Sequence, residues 1–584
     1  MDLPIKEGIG MIANQELETS SERLNGGSLP QERATRVILC VAILLGLALL
    51  LAPSGWFAWK FRSMPQLGAY HDDAVLWLSA QSLAGNHGYR IPQLPENPAQ
   101  TKYPPLYPAL LSLVWRFAGA FPGNLPFVTA LQWSFYAPYL GLVWLFFRQC
   151  GFSAPFAYAL TLIPALCPIT IILGISPLTE LPFCVVLLSL MLLLGANREV
   201  SGRAGRETGL GLLAGLLAAV AFLIRTNSIV LAVSVPLLLI LQHRIRAAVA
   251  FLMPLLAAIA AWQLWCLRNA AAAKDDMVVY YTSYVGFYLR TFSWSDLPHR
   301  MWVNFSSVIE ALARLVIFSV DNTYGVRVLG WLLTVTATAG VVTLFRRGVR
   351  HYPVFAALFV VVLVLWQYPP DTRFVYPLFP LYVAGLATKL RDIAMLAVNT
   401  WRRKRGPDRV AVVLMLSLIL FIAAGSFGSA LHGIFFVLPE YFGDRENQRA
   451  EMMPVYRWIA ANTGSEERFA AYDDTMLYLH ASRRGYTVPL LPRLVYDLDT
   501  NAVQRYISGL GAFWRDKRVV YVLVTKYDFR RDLHEVALDS LGDMVQDRTR
   551  FQLLYSDRTA RVYRFVGSSY TLSNPESESD VHPQ

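Results

Sequence analysis

Apolar runs of nearly the length needed to cross a bilayer recur along this chain from Val37 to about Leu438, and no other feature constrains its fold as strongly. Roughly 20 helical residues span the hydrocarbon core, because backbone N–H and C=O groups there must be satisfied within the segment itself. With 55% hydrophobic and only 16% charged residues among 584, the chain is too apolar for an ordinary soluble protein of this size. After Glu440 the composition becomes that of a water-soluble domain. A net charge of +11 would by itself suggest nucleic acid, but the arginines sit in short clusters between apolar runs, as in cytoplasmic loops. Nucleic acid is therefore not expected as a partner. The five cysteines, Cys40, Cys150, Cys167, Cys184 and Cys266, lie in or beside apolar runs, so the sequence spells out neither a disulfide framework nor a zinc cluster.

Arginine and lysine bias sets the orientation. Arg33 and Arg36 precede the first span, Val37 to Leu51, which places the N-terminus inside; the polar leader lacks the pattern of a cleaved signal and reads as a retained cytoplasmic tail. Basic clusters at Arg198, Arg203 and Arg206, at Arg244 and Arg246, at Arg346, Arg347 and Arg350, and at Arg402 to Arg405 are likewise cytoplasmic. By parity, Phe127 to Phe147 crosses inward, and Pro155 to Leu173 with Leu181 to Leu194 forms a pair whose hairpin is outside. The same parity turns Pro105 to Ala120 and Val308 to Val320 into helices lying on the membrane surface. Later spans fall near Gly209 to Ile224, Ser228 to Leu241, Ala247 to Leu267, Val328 to Leu344, Tyr352 to Trp366, Val375 to Leu386 and Val410 to Phe436.

The expected protein is an α-helical polytopic membrane protein of about eleven transmembrane helices, with a small C-terminal α/β domain outside. Residues 1–36 would form the cytoplasmic tail, 37–438 the membrane domain with external loop 52–126, 439–567 the α/β domain and 568–584 a disordered end. In the α/β domain, Met452 to Asn462 has helical spacing, Val519 to Val524 reads as a buried strand, and Phe551 to Tyr555 with Ala560 to Phe565 as a hairpin. Localisation in the cell (inner) membrane follows.

The unusual polar residues fall on the outer side. His71-Asp72-Asp73 opens a helix-like run soon after the first span, and adjacent carboxylates near a membrane surface are a candidate base; helix capping by either aspartate is the plainer alternative. In Lys102-Tyr103-Pro104-Pro105-Leu106-Tyr107-Pro108, closely spaced prolines hold an extended approach that sets one lysine at the lipid boundary. An ammonium there suits a phosphate. Glu180, in Thr179-Glu180-Leu181-Pro182, is a lone carboxylate at the outer end of a hairpin, where charge is costly and tends to be functional or paired. Arg225, in Ile224-Arg225-Thr226-Asn227, and Asp371 with Arg373, in Pro370-Asp371-Thr372-Arg373-Phe374, complete the set, with loop-stitching ion pairs as the alternative reading.

The order and spacing of these strings resemble the membrane-embedded GT-C glycosyltransferases, in the branch holding protein O-mannosyltransferases, the lipid A aminoarabinose transferase and the Rgt-type enzymes. The resemblance rests on Asp72-Asp73-Ala74, Gly88-Tyr89, the Lys102 to Pro108 string, Thr179 to Phe183, and Arg373-Phe374 with Pro377 and Pro380, and it covers most of the membrane domain. It implies that Asp72 is the catalytic carboxylate, with Asp73 as second acid of the pair. Two departures bear on the substrate: the family's tyrosine three residues after the pair is Trp77 or has no counterpart, and the hairpin acid is Glu180 where relatives carry aspartate.

The resemblance implies an inverting transfer of a sugar from a polyprenyl-phosphate donor to a lipid, polysaccharide or protein acceptor at the non-cytoplasmic face. Asp72 would take the acceptor proton, while Lys102, Arg225 and Arg373, with Tyr103 and His71 lining the site, would bind donor and leaving phosphate. No cofactor is required, although Glu180 and Asp73 are the carboxylates that could hold a divalent ion. The alternative function is a polytopic transporter or lipid flippase using the same charges as a relay; an envelope scaffold is a third reading.

Overall fold

The computed structural model describes residues 29–196, 204–270, 276–291, 294–317, 324–403, 407–497, 499–529 and 534–566. The expected disordered end beyond 568, most of the N-terminal tail, and the basic residues Arg198, Arg203, Lys404 and Arg405 lie outside them. The chain divides into two compact units, Met1–Pro53 and Ser54–Gln584. In the first, a helical run starts at Leu29, and Leu44, Leu45, Leu47 and Leu49 stand exposed along it, as a lipid-facing helix requires.

The second unit holds everything that follows. Three of its helices, Gly205–Ile224, Ile245–Asn269 and Arg327–Arg346, are long and apolar enough to cross a membrane. The expected single span from Pro155 to Leu173 is instead a pair, Ala154–Leu166 and Pro168–Ile175, bent by 66°. Pro168 cannot donate to the ladder, and Cys167 before it takes the extended conformation, so the helix must break there. If that pair is one span the count is four; shorter apolar helices, such as Glu180–Ala196 and His351–Val364, account for other expected spans without passing the same test. The expected Phe127 to Phe147 span is likewise divided, into Leu125–Trp133 and Tyr136–Gln149. Leu106–Phe117 and Leu297–Ile317 are helices where surface helices were expected, but the second begins well before Val308 and buries Arg300 and Asn304.

Helices 204–224 and 245–269 meet through Gly211 and Gly215, a G-x-x-x-G pair. A Cβ on Gly211 would lie 2.5 Å from the Ala247 carbonyl oxygen, and one on Gly215 would lie 2.2 Å from that of Phe251. Without solvent to drive association, apolar helices gain most from such backbone approach.

From Pro407 the helical backbone runs through a π turn at Gly433–Val437 into Leu438–Asn462, so the change of composition near Glu440 falls inside helix. Beyond it, β1 (Arg468–Ala471), β2 (Gly485–Tyr486), β3 (Val519–Thr525), β4 (Phe551–Ser556) and β5 (Ala560–Phe565) form one sheet in the order β2-β1-β3-β5-β4. β2 and β3 flank β1 in parallel, and β5 pairs antiparallel with β3 and β4, the latter as the expected hairpin. Parallel neighbours need crossovers, which the helices Asp474–Ala481 and Thr500–Asp516 supply. Trp514, Ile507, Val522, Phe551 and Phe565 fill its core, and so do Ile91, Leu94, Val278 and Tyr281 from segments far earlier in the chain. The Gly485 amide donates to the Gln93 carbonyl at 3.0 Å, and Tyr486 donates to Glu96. The sheet is thus built onto the first loop.

Gly215→Ala should destabilise the protein by about 1–3 kcal/mol through overpacking, whereas Gly209→Ala, earlier in the same helix with open space around it, should not. Thermal unfolding in detergent micelles compares the two; equal midpoints would contradict the backbone contact.

Candidate active site

Helix Asp72–Ala84 is buried along most of its length, with Trp77 stacked on Trp115 at 4.5 Å. His71 is its N-cap residue and makes no capping bond; its φ of 59° is the left-handed region that a residue with a Cβ occupies at a cost. That conformation is held from outside. His71 Nε2 lies 3.0 Å from Oδ1 of Asp474, at the start of the helix that follows β1. Burial opposes the imidazolium, but the hydrogen bond and charge of Asp474 outweigh it and raise the His71 pKa above its ordinary value.

The two adjacent aspartates have separate surroundings. Asp73 is fully buried, with Oδ2 accepting the Gly68 amide at 3.0 Å and Oδ1 the Ala74 amide at 2.9 Å. It lines neither cavity described below, unlike Asp72. Among the described residues no three His, Cys, Asp or Glu side chains gather as metal ligands. The capping alternative fails for Asp72, whose oxygens turn to distant residues.

Asp72 Oδ1 accepts from the Tyr103 hydroxyl, and Oδ2 accepts from Nη2 of Arg373 at 2.9 Å. Arg373 Nε in turn lies 3.2 Å from Oε1 of Glu180, which Arg225 Nη1 reaches at 2.8 Å. Residues 301 positions apart therefore share one chain of alternating charge. Glu180 is 1% exposed, and among the described residues neither its Oε2 nor Nη1 of Arg373 has a hydrogen-bond partner. Asp371 sets the local backbone by accepting the Arg373 and Phe374 amides as N-cap. Burial alone would raise the Asp72 pKa, but Arg373, then Lys102 and the Tyr103 hydrogen bond, hold it down at about 2. Desolvation by itself shifts a carboxylate upward; four neighbours, His71 being the fourth, reverse the sign.

Lys102 is fixed by its backbone. Gln100 Oε1 accepts the Lys102 amide at 3.0 Å, and the Tyr89 hydroxyl donates to the Tyr103 carbonyl at 2.9 Å. Its ammonium sits among the rings of Tyr280, Tyr284 and Tyr103, at 4.3, 4.7 and 5.4 Å from their centroids. Tyrosine faces attract a cation without neutralising it. Among the described residues Lys102 makes no ion pair, and burial lowers its pKa to about 8 against the pull of Asp72.

Two cavities meet here. Asp72, Tyr284, Trp366, Arg373 and Phe374 line both a small inner one, walled by Thr179 to Glu180 and Ile224 to Asn227, and a large outer one of about 580 Å³. The outer cavity lies between this cluster and the sheet, with His71 and Lys102 on its wall. All the sequence-derived candidates except Asp73 thus border one or other of these two cavities. Tyr280, Tyr284, Trp366 and Asp474 escaped the sequence reading; the string Tyr280-Tyr281-Thr282-Ser283-Tyr284 was the available signal, an aromatic cluster at the end of an apolar run.

No protein-family model matches the sequence, and no curated protein matches it. Solved structures do. The chain is similar to ArnT from Cupriavidus metallidurans bound to undecaprenyl phosphate, with TM-score 0.50 and 13% identity over 91% of this chain and 99% of that one. It also matches the apo form of that protein (TM-score 0.47, 11% identity, 85% and 93% covered) and the apo oligosaccharyltransferase of Archaeoglobus fulgidus (0.47, 11%, 91% and 75%). The first likeness shows a GT-C glycosyltransferase fold.

Lys102 should titrate with a midpoint near pH 8, below the 10.5 of an ordinary lysine. Competitive acetylation read by mass spectrometry measures this, and a bound phosphate anion should move the midpoint upward by favouring the ammonium. A midpoint at the ordinary value in the free protein would contradict the site.

Proposed function

We propose that this chain is a membrane glycosyltransferase that moves a sugar from a polyprenyl-phosphate donor to an acceptor hydroxyl in the outer cavity, with inversion, on the non-cytoplasmic face. One observation carries the reading. Beside a carboxylate that faces a large cavity, two buried cations retain unspent capacity: the caged Lys102 ammonium and Nη1 of Arg373. Arg225 and Arg373 pair with Glu180 and Asp72, and Asp371 adds a third carboxylate beside Arg373, whereas Lys102 makes no ion pair among the described residues. A phosphate ester suits that ammonium and the spare Nη1 of Arg373. The likeness to a structure that holds undecaprenyl phosphate supports this donor class.

In the reaction, the acceptor oxygen bonds to the anomeric carbon from the face opposite the phosphate. The carbon–oxygen bond to phosphate breaks, its electron pair stays on the phosphate, and the acceptor proton passes to Asp72. Charge grows on the leaving phosphate in a site of low dielectric, so Lys102 and Arg373 stabilise the transition state more than the ground state. The low pKa of Asp72 is set chiefly by Arg373 and Lys102. When a phosphate competes for Arg373 and Lys102, their hold on Asp72 weakens and its basicity rises. Donor binding then switches on the base. The relay reading of a transporter fits less well, because the charges pair around a cavity beneath a sheet.

Asp72→Asn should lower transfer from a polyprenyl-phosphate sugar to envelope extract by about 10²- to 10⁴-fold. Because Asp72 in the free protein is ionised at every pH above about 2, kcat/KM should show no acid limb from it between neutrality and mildly acidic pH. Activity retained in Asp72→Asn, or lipid flipping without glycosidic product, would refute the assignment.

A further inference from the structure

The outer cavity has two chemically different walls. Its inner side carries Lys102 and Arg373; the sheet side carries Tyr472, Asp473, Thr525, Tyr527 and Asp528, and among its lining residues from Arg468 onward none is basic. These residues sit where β1 and β3 end. In open sheets the carboxyl ends of parallel strands are where ligands bind, since loops there converge without covering the crevice. β1 and β3 are parallel neighbours, and their ends open onto the space above Asp72.

The sheet-side carboxyls draw their hydrogen bonds from nearby amides and hydroxyls, and the charge facing Asp473 is that of His71 across the cavity. Asp473 takes both of its hydrogen bonds on Oδ1, from the Met476 amide and the Thr475 hydroxyl. Asp528 accepts the Thr525 hydroxyl at 2.6 Å and the Thr525 amide at 2.9 Å. Burial raises Asp473 to about 6 and Asp528 to about 7, so near neutrality Asp473 chiefly accepts while Asp528 can donate as well as accept. A second feature points to a polar ligand: Gln367, 5% exposed, lines the same cavity and its side-chain carbonyl oxygen has no hydrogen-bond partner. At about 580 Å³ the cavity is in the range of sites for small organic ligands. Arg445, from helix Leu438–Asn462, also lines it, but donates to Gln448 at 3.0 Å.

We propose that the sheet-side wall, Tyr472, Asp473, Thr525, Tyr527 and Asp528, is the acceptor subsite, and that it takes a neutral, hydroxyl-rich saccharide. Carboxyl, amide and hydroxyl groups that both give and receive hydrogen bonds match sugar hydroxyls, and tyrosine rings match the apolar faces of pyranoses. A phosphorylated acceptor is disfavoured, since it would set an anion against two carboxyls with no cation on that wall. The word acceptor rests on the proposed transfer; the choice of ligand rests on this wall alone.

The test uses the purified full chain and needs no turnover. Quenching of tryptophan fluorescence, with Trp366 on the cavity wall, is titrated with neutral disaccharides (maltose, cellobiose, mannobiose) and with the matching hexose 1-phosphates. At least one neutral disaccharide should bind at millimolar concentration and more tightly than any sugar phosphate. Asp473→Leu and the milder Tyr527→Phe should each weaken that binding tenfold or more, while the response to polyprenyl phosphate stays unchanged. Sugar phosphates that bind as tightly, variants that bind as the parent does, or no disaccharide binding at all would overturn the proposal. Saccharide binding without any transfer activity would instead sink the proposed function and leave this wall as a saccharide site.

Discussion

An arginine nearly out of water must be paired, and the pairing of Arg373 organises the rest of the molecule. Its guanidinium holds Asp72 on one side and Glu180 on the other, and Glu180 holds Arg225. Each partner comes from a different part of the chain, so the buried charges can be satisfied only when the first loop, the hairpin at Thr179, the turn at Arg225 and the segment after Asp371 are all in place. Buried ion pairs rarely add much net stability, because desolvation offsets their attraction. Their effect is on specificity of arrangement, and here the arrangement leaves Nη1 of Arg373 and Oε2 of Glu180 without partners. Such shortfalls suit a site that awaits a ligand better than one that merely stitches loops.

The second constraint is the shared core of the sheet. Ile91, Leu94, Val278 and Tyr281 are buried among sheet residues, so the wall opposite Asp72 is part of the same packed body as the loop that carries Asp72. The His71–Asp474 contact makes that coupling local to the candidate site: it holds a strained backbone one position before the candidate base. Asn304 adds a third tie, donating to the Val364 and Trp366 carbonyls and accepting from Tyr496. The position of the sheet is therefore set by polar and apolar contacts to several earlier segments, which no pattern within residues 440–566 could announce.

Much of the candidate site was legible because charge in an apolar sequence is conspicuous. Asp72, Lys102, Glu180, Arg225 and Arg373 each stand out against their neighbours, and the motif order that resembles GT-C enzymes named the scaffold that the fold comparison then showed. The hairpin of β4 and β5 and the strand at Val519 followed from alternation and apolar runs. The division between Asp72 and Asp73 was not legible, since adjacent identical residues differ only in where the helix start turns them. Nor was the tyrosine cage around Lys102: Tyr280 and Tyr284 follow it by 178 and 182 positions in the numbering, and no local period links them. The bend at Cys167 has its signal in Pro168, within an otherwise continuous apolar run.

What the sequence determined by itself was the solvent of each segment, because transfer free energies are properties of residues and add along a run. It also determined the list of charges that had to find partners. Which charges met, which carboxylate faced a cavity, and the sign of the Asp72 shift were decided only by tertiary structure. Electrostatic energies depend on distances between residues far apart in the chain, and those distances exist only once the helices and the sheet have packed.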